Sequence, residues 1–278
     1  MRKISIFVRP SYIGNRYPSE TKEPVLMRIS SRIRGEDLAE HLGAKLNPKQ
    51  GFEDDICIFV KPKYLELVED GDYLDYLDGV NMWVQLKNRP KIKVIAASQA
   101  SFKFLKNNIQ NEIFLIPQHH LNWEKQLRSK RKVNVAGYIG APSPAAFKMY
   151  GEIRKRLKKI GFEFNTCFNF RTRDDAVNFY KSIDLLVIGD WVKDDNHTKI
   201  PTKIINAASF GVPTVAYPLK GYEEIEGYYV HGLNNDLLLK EAEKFRDENY
   251  YRLWSEKVLS MSQPYHIGEI VKLYQKLK

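Results

Sequence analysis

The residues best placed to do chemistry lie in the run Lys199-Ile200-Pro201-Thr202-Lys203. Proline suits the first position of a helix, where its missing N–H costs nothing. In the helix that follows, Ile204, Ile205 and Ala208 share an apolar face, so Lys203 and Asn206 point elsewhere. The N–H groups of a helix's first turn, here those around Thr202 and Lys203, combine with the helix dipole into a ready anion site. Lys199 and Lys203 stand one turn apart and add two positive charges on one side. Two linked phosphates are the natural guest. The same residues also make an ordinary capped helix with two solvated lysines, and spacing alone does not separate these readings.

Such a site needs elements to position it. Short apolar runs alternate with longer amphipathic ones, the pattern of parallel α/β architecture. In the first half, strands are expected at Ile4–Val8, Ile56–Val60, Asn81–Leu86, Val94–Ala97 and Ile113–Ile116. Helices are expected over Arg32–Leu42, ended by Gly43, and over Gln99–Lys106, capped by Ser98. The stretch Gln126–Lys132 is polar and basic and reads as a linker. The pattern then restarts. Val133–Gly140 is a strand entering a glycine turn, Pro144–Ile160 a helix stopped by Gly161, Phe162–Cys167 a strand and Asp174–Ser182 a helix. Ile183–Ile188 is a buried strand, Pro201–Phe210 the helix of the anion site, and Val212–Tyr217 another strand. Beyond Asn234 the pattern is helical, broken at Pro264. Two Rossmann-like halves follow, one large doubly wound sheet being the alternative. In such sheets ligands bind beyond the carboxyl ends of the strands.

Bulk properties narrow the function classes. The chain has 278 residues, 43% hydrophobic and 12% aromatic, enough to build real cores. No apolar run reaches membrane-spanning length. The basic start and short apolar run of residues 1–9 read as a first strand rather than a signal peptide. Cys57 and Cys167 are expected as buried free thiols in a reducing, cytoplasmic setting. The net charge of +10 is mostly dispersed, apart from Arg128–Lys132 and the run Arg154-Lys155-Arg156-Leu157-Lys158-Lys159. Peripheral contact with an acidic membrane is one reading of those runs; a solvated linker and a solvated helix face is the other. Nucleic acid is not expected as a partner, because aromatics are not interleaved with the basic residues. The histidines lack metal-ligand spacing, and no G-x-G-x-x-G follows a strand, which argues against metal hydrolases and dehydrogenases.

The run from Lys199 to Ala216, with its Gly211-Val212-Pro213 turn, followed by Gly221-Tyr222-Glu223-Glu224-Ile225, resembles the donor-site signature of GT-B glycosyltransferases, especially the group-1 (GT4-like) superfamily. Val135–Gly140 looks like the first strand of that family's nucleotide domain. The resemblance implies two Rossmann-like domains facing across a cleft: an acceptor-side domain over residues 1–125, a nucleotide-sugar domain over 126–262, and a C-terminal helix over 263–278 returning to the first. It implies transfer of a hexose, with retention, from a nucleotide sugar to a glycan or lipid-linked acceptor, with no metal or other cofactor.

By position, the family pattern assigns donor contacts to Thr198, Lys199, Thr202, Lys203, Asn206, Gly140, Arg171 and Glu224. Thr198 and Asn206 stand where relatives carry glutamates. Only Lys148 is basic where relatives have an Arg and a Lys near the leaving diphosphate, so Lys199 and Lys203 are expected to supply that charge. Arg171 closes the turn Phe168-Asn169-Phe170-Arg171, where the nucleobase docks in that family. Arg9, Gly14 and Arg32 are expected on the acceptor side, although Arg32 also fits a surface helix with Arg/Glu pairing. For catalysis, His197 is a candidate leaving-group contact, and His120 or its neighbour His119 a candidate base. Gln85 replaces a strand-end histidine common in relatives. These departures also suit a GT-B-like protein that binds nucleotide or scaffolds without turnover.

Overall fold

The structure, a computed structural model, describes residues 3–8, 32–62, 64–77, 82–129, 132–170, 172–189 and 199–278. It divides into two compact units. The first comprises residues 1–119, 196–200 and 265–278; the second comprises residues 120–195 and 201–264.

Unit 1 is built on six parallel strands in the order β2-β1-β3-β4-β5-β6. These are β1 (Ile4–Val8), β2 (Lys45–Leu46), β3 (Ile56–Val60), β4 (Tyr73–Tyr76), β5 (Lys93–Ala96) and β6 (Ile113–Leu115). Strands covered on both faces read as continuous apolar runs, and Ile56-Cys57-Ile58-Phe59-Val60 is such a run. The expected Arg32–Leu42 helix is a π-helical turn, Ile33–Asp37, leading into α1 (Leu38–Leu42). Gly35 allows that turn to press on β1, because a Cβ there would lie 2.3 Å from Val8 Cγ2. Gly43 ends α1 at φ +61°.

One strand was expected in the wrong place. Met82–Leu86 forms a short helix, α2, with Leu86 buried and Val84 exposed, while the strand is Tyr73–Tyr76. Asp75 interrupts the apolar pattern of β4 in sequence, yet all four residues of the strand are buried. Helix α3 (Gln99–Asn108) starts as expected, with Ser98 Oγ accepting from the Ser101 N–H at 3.2 Å.

What makes Asp75 tolerable is Arg34. Arg34 Nε donates to Asp75 Oδ2 at 2.6 Å, and its Nη1 donates to the Ile116 carbonyl at 2.9 Å. The Tyr274 hydroxyl donates to the same Asp75 oxygen at 3.1 Å, and its ring lies 5.6 Å from the guanidinium. Burial alone drives the Asp75 carboxyl above its ordinary range, against the pull of Arg34 and Tyr274. Tyr274 belongs to α9 (Ile267–Tyr274), whose Ile270 and Tyr274 join Ile6, Leu38 and Ile58 in the unit's core.

Unit 2 has five parallel strands in the order β11-β10-β9-β7-β8. These are β7 (Val135–Ile139), β8 (Glu163–Cys167), β9 (Leu185–Ile188), β10 (Thr214–Ala216) and β11 (Val230–His231). Its helices are α4 (Pro144–Lys159), α5 (Arg173–Ser182), α6 (Thr202–Ser209), α7 (Asn235–Lys244) and α8 (Glu248–Ser262). Side-chain caps open α4 at Ser143, α5 at Thr172 with a full capping box, and α7 at Asn234. Each is worth about 1 kcal/mol.

The basic stretch read as a linker is pinned to this unit. The Asn122 amide donates to the Gln126 and Ser209 carbonyls, both at 2.8 Å. Arg128 donates to buried Asp184 at 2.7 Å and lies 4.5 Å from the Tyr251 ring. Asp184 also accepts the Asn134 and Val135 N–H groups, fastening the start of β7. Both cysteines are free; burial pushes the Cys57 thiol up to about 11. Among the described residues no helix is long and apolar enough to cross a membrane.

Candidate functional site

The carboxyl edge of the unit 2 sheet brings together the end of β7, the end of β8 and the first turn of α6. Tyr138, near the end of β7, stacks on Tyr150 of α4 with ring centroids 3.9 Å apart. The Tyr150 hydroxyl accepts the Gly189 N–H at 3.3 Å, which ties the stack to the end of β9. Burial raises the Tyr150 phenol well above its ordinary value, and Tyr138 beside it acts in the same direction. Lys203 Nζ lies 5.1 Å from the centroid of the Tyr138 ring, a cation–π contact. The opening turn of α6 is thereby held beside β7.

Tyr138 is fully buried, and the aromatic cluster around it reaches the surface through Phe168 and Phe147. Phe168 is 5.8 Å from Tyr138, and Phe147 is 4.6 Å from Phe168. A groove of about 670 Å³ opens here, lined by Phe147, Cys167, Phe168, Asn169, Phe170 and Asn178. Phe147 is 53% exposed although its neighbours Ala146 and Tyr150 are buried. The buried stripe of α4 runs Ala146, Tyr150, Ile153, Leu157, at helical spacing, and Phe147 falls off it. An apolar ring held at the rim of a groove is a surface for a flat ligand.

The sequence-derived candidates fall into three groups. Thr202 and Lys203 open α6 and are half-buried, and Glu224 is half-buried in the 3₁₀ turn Lys220–Ile225 that follows β10. Lys199 is also half-buried but is counted with unit 1, where its neighbour Ile200 packs on the core.

The second group is engaged inside the protein. Asn206 is 2% exposed, and its Oδ1 accepts the Leu121 N–H at 3.0 Å. It is hydrogen-bonded to the Tyr180 hydroxyl as well. The Gly140 N–H donates to the Cys167 carbonyl at 3.1 Å, and a Cβ on Gly140 would lie 2.4 Å from the Tyr138 hydroxyl. That close approach accounts for the glycine within the unit. His120 is buried, and its Nδ1 accepts the Asn122 N–H at 3.2 Å. His119, counted with unit 1, is buried too, its Nε2 donating to the Ile33 carbonyl at 2.9 Å. Arg32 pairs with Glu36 at 3.1 Å, the Arg/Glu pairing open to it from sequence, but both side chains are half-buried rather than on the surface.

The third group, Arg9, Gly14, Arg171, His197 and Thr198, lies outside the described residues. Sequence reasoning missed the Tyr138–Tyr150 stack and Phe147. The position of Phe147 off the apolar stripe was the legible signal.

Two units with parallel sheets, unit 2 carrying a groove at its carboxyl edge, match solved glycosyltransferases. The chain has the GT-B fold. One of these structures is Staphylococcus aureus TarM, as a mutant in complex with fondaparinux, α-GlcNAc-glycerol and UDP. It aligns with TM-score 0.56 and 15% identity over 82% of this chain and 52% of that one. Anabaena HepE in complex with UDP and glucose aligns with TM-score 0.53 and 13% identity, over 86% of this chain and 79% of HepE. A UDP-forming trehalose-phosphate synthase from Burkholderia xenovorans aligns with TM-score 0.51 and 8% identity, covering 80% and 73% of the two chains. This GT-B chain spans about half the length of the TarM structures it matches. No family model matches its sequence, and no curated protein does.

Proposed function

We propose that the chain is a glycosyltransferase that holds a nucleotide-sugar donor at the carboxyl edge of the unit 2 sheet. The observation that carries this reading is that buried Tyr138 contacts both Lys203, in the first turn of α6, and Phe168, which lines the groove with Phe147. The nucleobase stacks in the groove, which suits any flat ring. The diphosphate meets the first turn of α6, where the helix dipole and the Lys203 ammonium both favour negative charge. As the sugar leaves, charge grows on that diphosphate, and Lys203 stabilises it in place of the missing Arg/Lys pair. The proposed reaction uses no metal. TarM and HepE, both of this fold, have UDP in their structures. The acceptor is proposed to be a glycan or glycolipid, the sugar a hexose and the outcome retention.

The burial of Asn206 favours a second reading. Its amide serves Leu121 and Tyr180, so the proposed ribose contact has no glutamate-like group at that position. A nucleotide-binding protein without turnover, or a scaffold, would have this composition. Purified protein incubated with a panel of nucleotide sugars separates the two. Release of nucleoside diphosphate that is lost in Lys203→Ala supports the enzyme. Nucleotide binding with no release from any donor supports the second reading, and absence of both defeats each.

A further inference from the structure

The uneven charge of the molecule points to a second surface, on the helix whose first turn borders the groove. Helix α4 carries six basic residues, Lys148, Arg154, Lys155, Arg156, Lys158 and Lys159, against one acid, Glu152. Six less one is +5, so sixteen residues carry half of the +10 of the whole chain. Arg156 is ion-paired with Asp236, whereas Lys148, Arg154, Lys155, Lys158 and Lys159 are exposed.

These five cations are ordered by the helix. Lys148, Lys155 and Lys159 fall at i, i+7 and i+11, one row along the outer face, with exposed Glu152 among them at i+4; Arg154 and Lys158 lie in the neighbouring row. The buried face is Ala146, Tyr150, Ile153 and Leu157, so the helix cannot roll to hide the charge. A Cβ on Gly151, between the rows, would have nothing within 4 Å, which leaves the outer face low and open. From Lys148 to Lys159 the rows run about 16 Å. Arg246 adds a sixth cation at the helix end, its Nη1 donating to the Ile160 carbonyl at 2.9 Å. Helix-dipole complementarity accounts for Lys158, Lys159 and Arg246 at the C-terminus. It gives no reason for Lys148 and Lys155, which continue the row towards the N-terminus.

We propose that the outer face of α4 is a docking surface for an anionic lipid bilayer. Four of its five exposed cations are lysines. Mobile point charges suit a broad, laterally fluid anionic plane, whereas a fixed phosphate or sulfate in a soluble polymer is better gripped by arginine forks in a groove. Attraction of this kind is worth roughly fivefold in partitioning per lysine, and it fades beyond a Debye length of about 10 Å in 0.1 M salt.

The test is co-sedimentation of the full chain with vesicles of phosphatidylcholine alone and of phosphatidylcholine mixed with phosphatidylglycerol. The protein is expected to bind the mixed vesicles and not the neutral ones, and to release them as salt is raised. The triple variant Lys155→Ala/Lys158→Ala/Lys159→Ala should bind about a hundredfold more weakly with an unchanged melting temperature. A charge-matched control, Lys49→Ala/Lys91→Ala/Lys276→Ala, alters exposed lysines of unit 1 and should keep most of the binding. Equal loss in the control would overturn the proposal by reducing it to net charge. Binding to soluble heparin, lost in the α4 variant, without vesicle binding would overturn it in favour of a polyanionic polymer. No binding to either also overturns it. Nucleotide binding is expected to be the same in both variants, so this test does not depend on the donor site.

Discussion

The carboxyl edges of the two sheets handle polar chemistry in opposite ways. In unit 1, Asp75 at the end of β4 is fully buried and meets Arg34, the Ile116 carbonyl through that arginine, and Tyr274 from α9. Charge there is consumed in holding the C-terminal helix to its sheet. In unit 2 the corresponding edge is aromatic: Tyr138 and Tyr150 form a stacked floor, Lys203 rests on it, and Phe147 and Phe168 line an open groove. The same strand-end position can serve folding or recognition, and accessibility tells them apart. A charged group at zero exposure with its bonds directed inward is part of the fold. An aromatic ring held at the surface by a buried stack is available to a ligand.

The sharpest way to break this contrast is at Arg34. Removing one member of a buried ion pair strands the other, at a cost of about 3–5 kcal/mol. Arg34→Ala should lower unit 1 stability by that amount in urea or thermal unfolding, and Arg34→Met/Asp75→Asn should recover much of it. Near-wild-type stability of Arg34→Ala would mean that the pair is not what holds α9.

A smaller effect is expected at Asn206, which links the contrast to the donor site. If its amide serves the fold, Asn206→Ala leaves the Leu121 N–H buried without an acceptor and costs about 1–3 kcal/mol. Calorimetry with and without nucleotide should then show a lower melting temperature and an undiminished ligand-induced shift. Loss of the ligand shift at unchanged stability would instead return Asn206 to donor binding.

The smallest effect concerns pH. Asp55 accepts from Lys45 Nζ and Ser5 Oγ, both at 2.7 Å, and these bonds hold its carboxyl below the usual range. A depressed acid contributes stability above its unfolded pKa, and that contribution disappears as pH falls through the folded value. Asp55→Asn should therefore melt slightly lower than the parent at neutral pH, with the difference closing in acid below about pH 4. A difference that widens in acid would contradict the assignment.

Much of this organisation was legible in the sequence because it rests on local rules. Gly43 and Gly161 end helices at positive φ, Ser98 caps α3, and the apolar runs Ile4–Val8 and Ile56–Val60 are strands. The misplaced strand shows where local rules fail. Asp75 interrupts an apolar run, and the partner that makes its burial tolerable, Arg34, is 41 positions away in the chain, where pattern reading cannot see it. Met-Trp-Val-Gln-Leu at 82–86 has strand-forming residue types, yet only Leu86 is buried and the segment closes as one helical turn. At the candidate site, the start of α6 was readable from Pro201 and its lysines. The internal engagement of Asn206 and Gly140 was not, because each depends on a backbone group brought near by folding.

Thermal shift with a panel of nucleoside diphosphates tests the central claim most directly, using the parent chain, Lys203→Ala and Phe168→Ala. The account predicts that at least one diphosphate raises the melting temperature of the parent. It also predicts that the shift is largely lost in both variants, a stacked base alone being worth about 1–3 kcal/mol. No shift with any diphosphate, or an equal shift in all three proteins, would contradict a donor site at the carboxyl edge of unit 2.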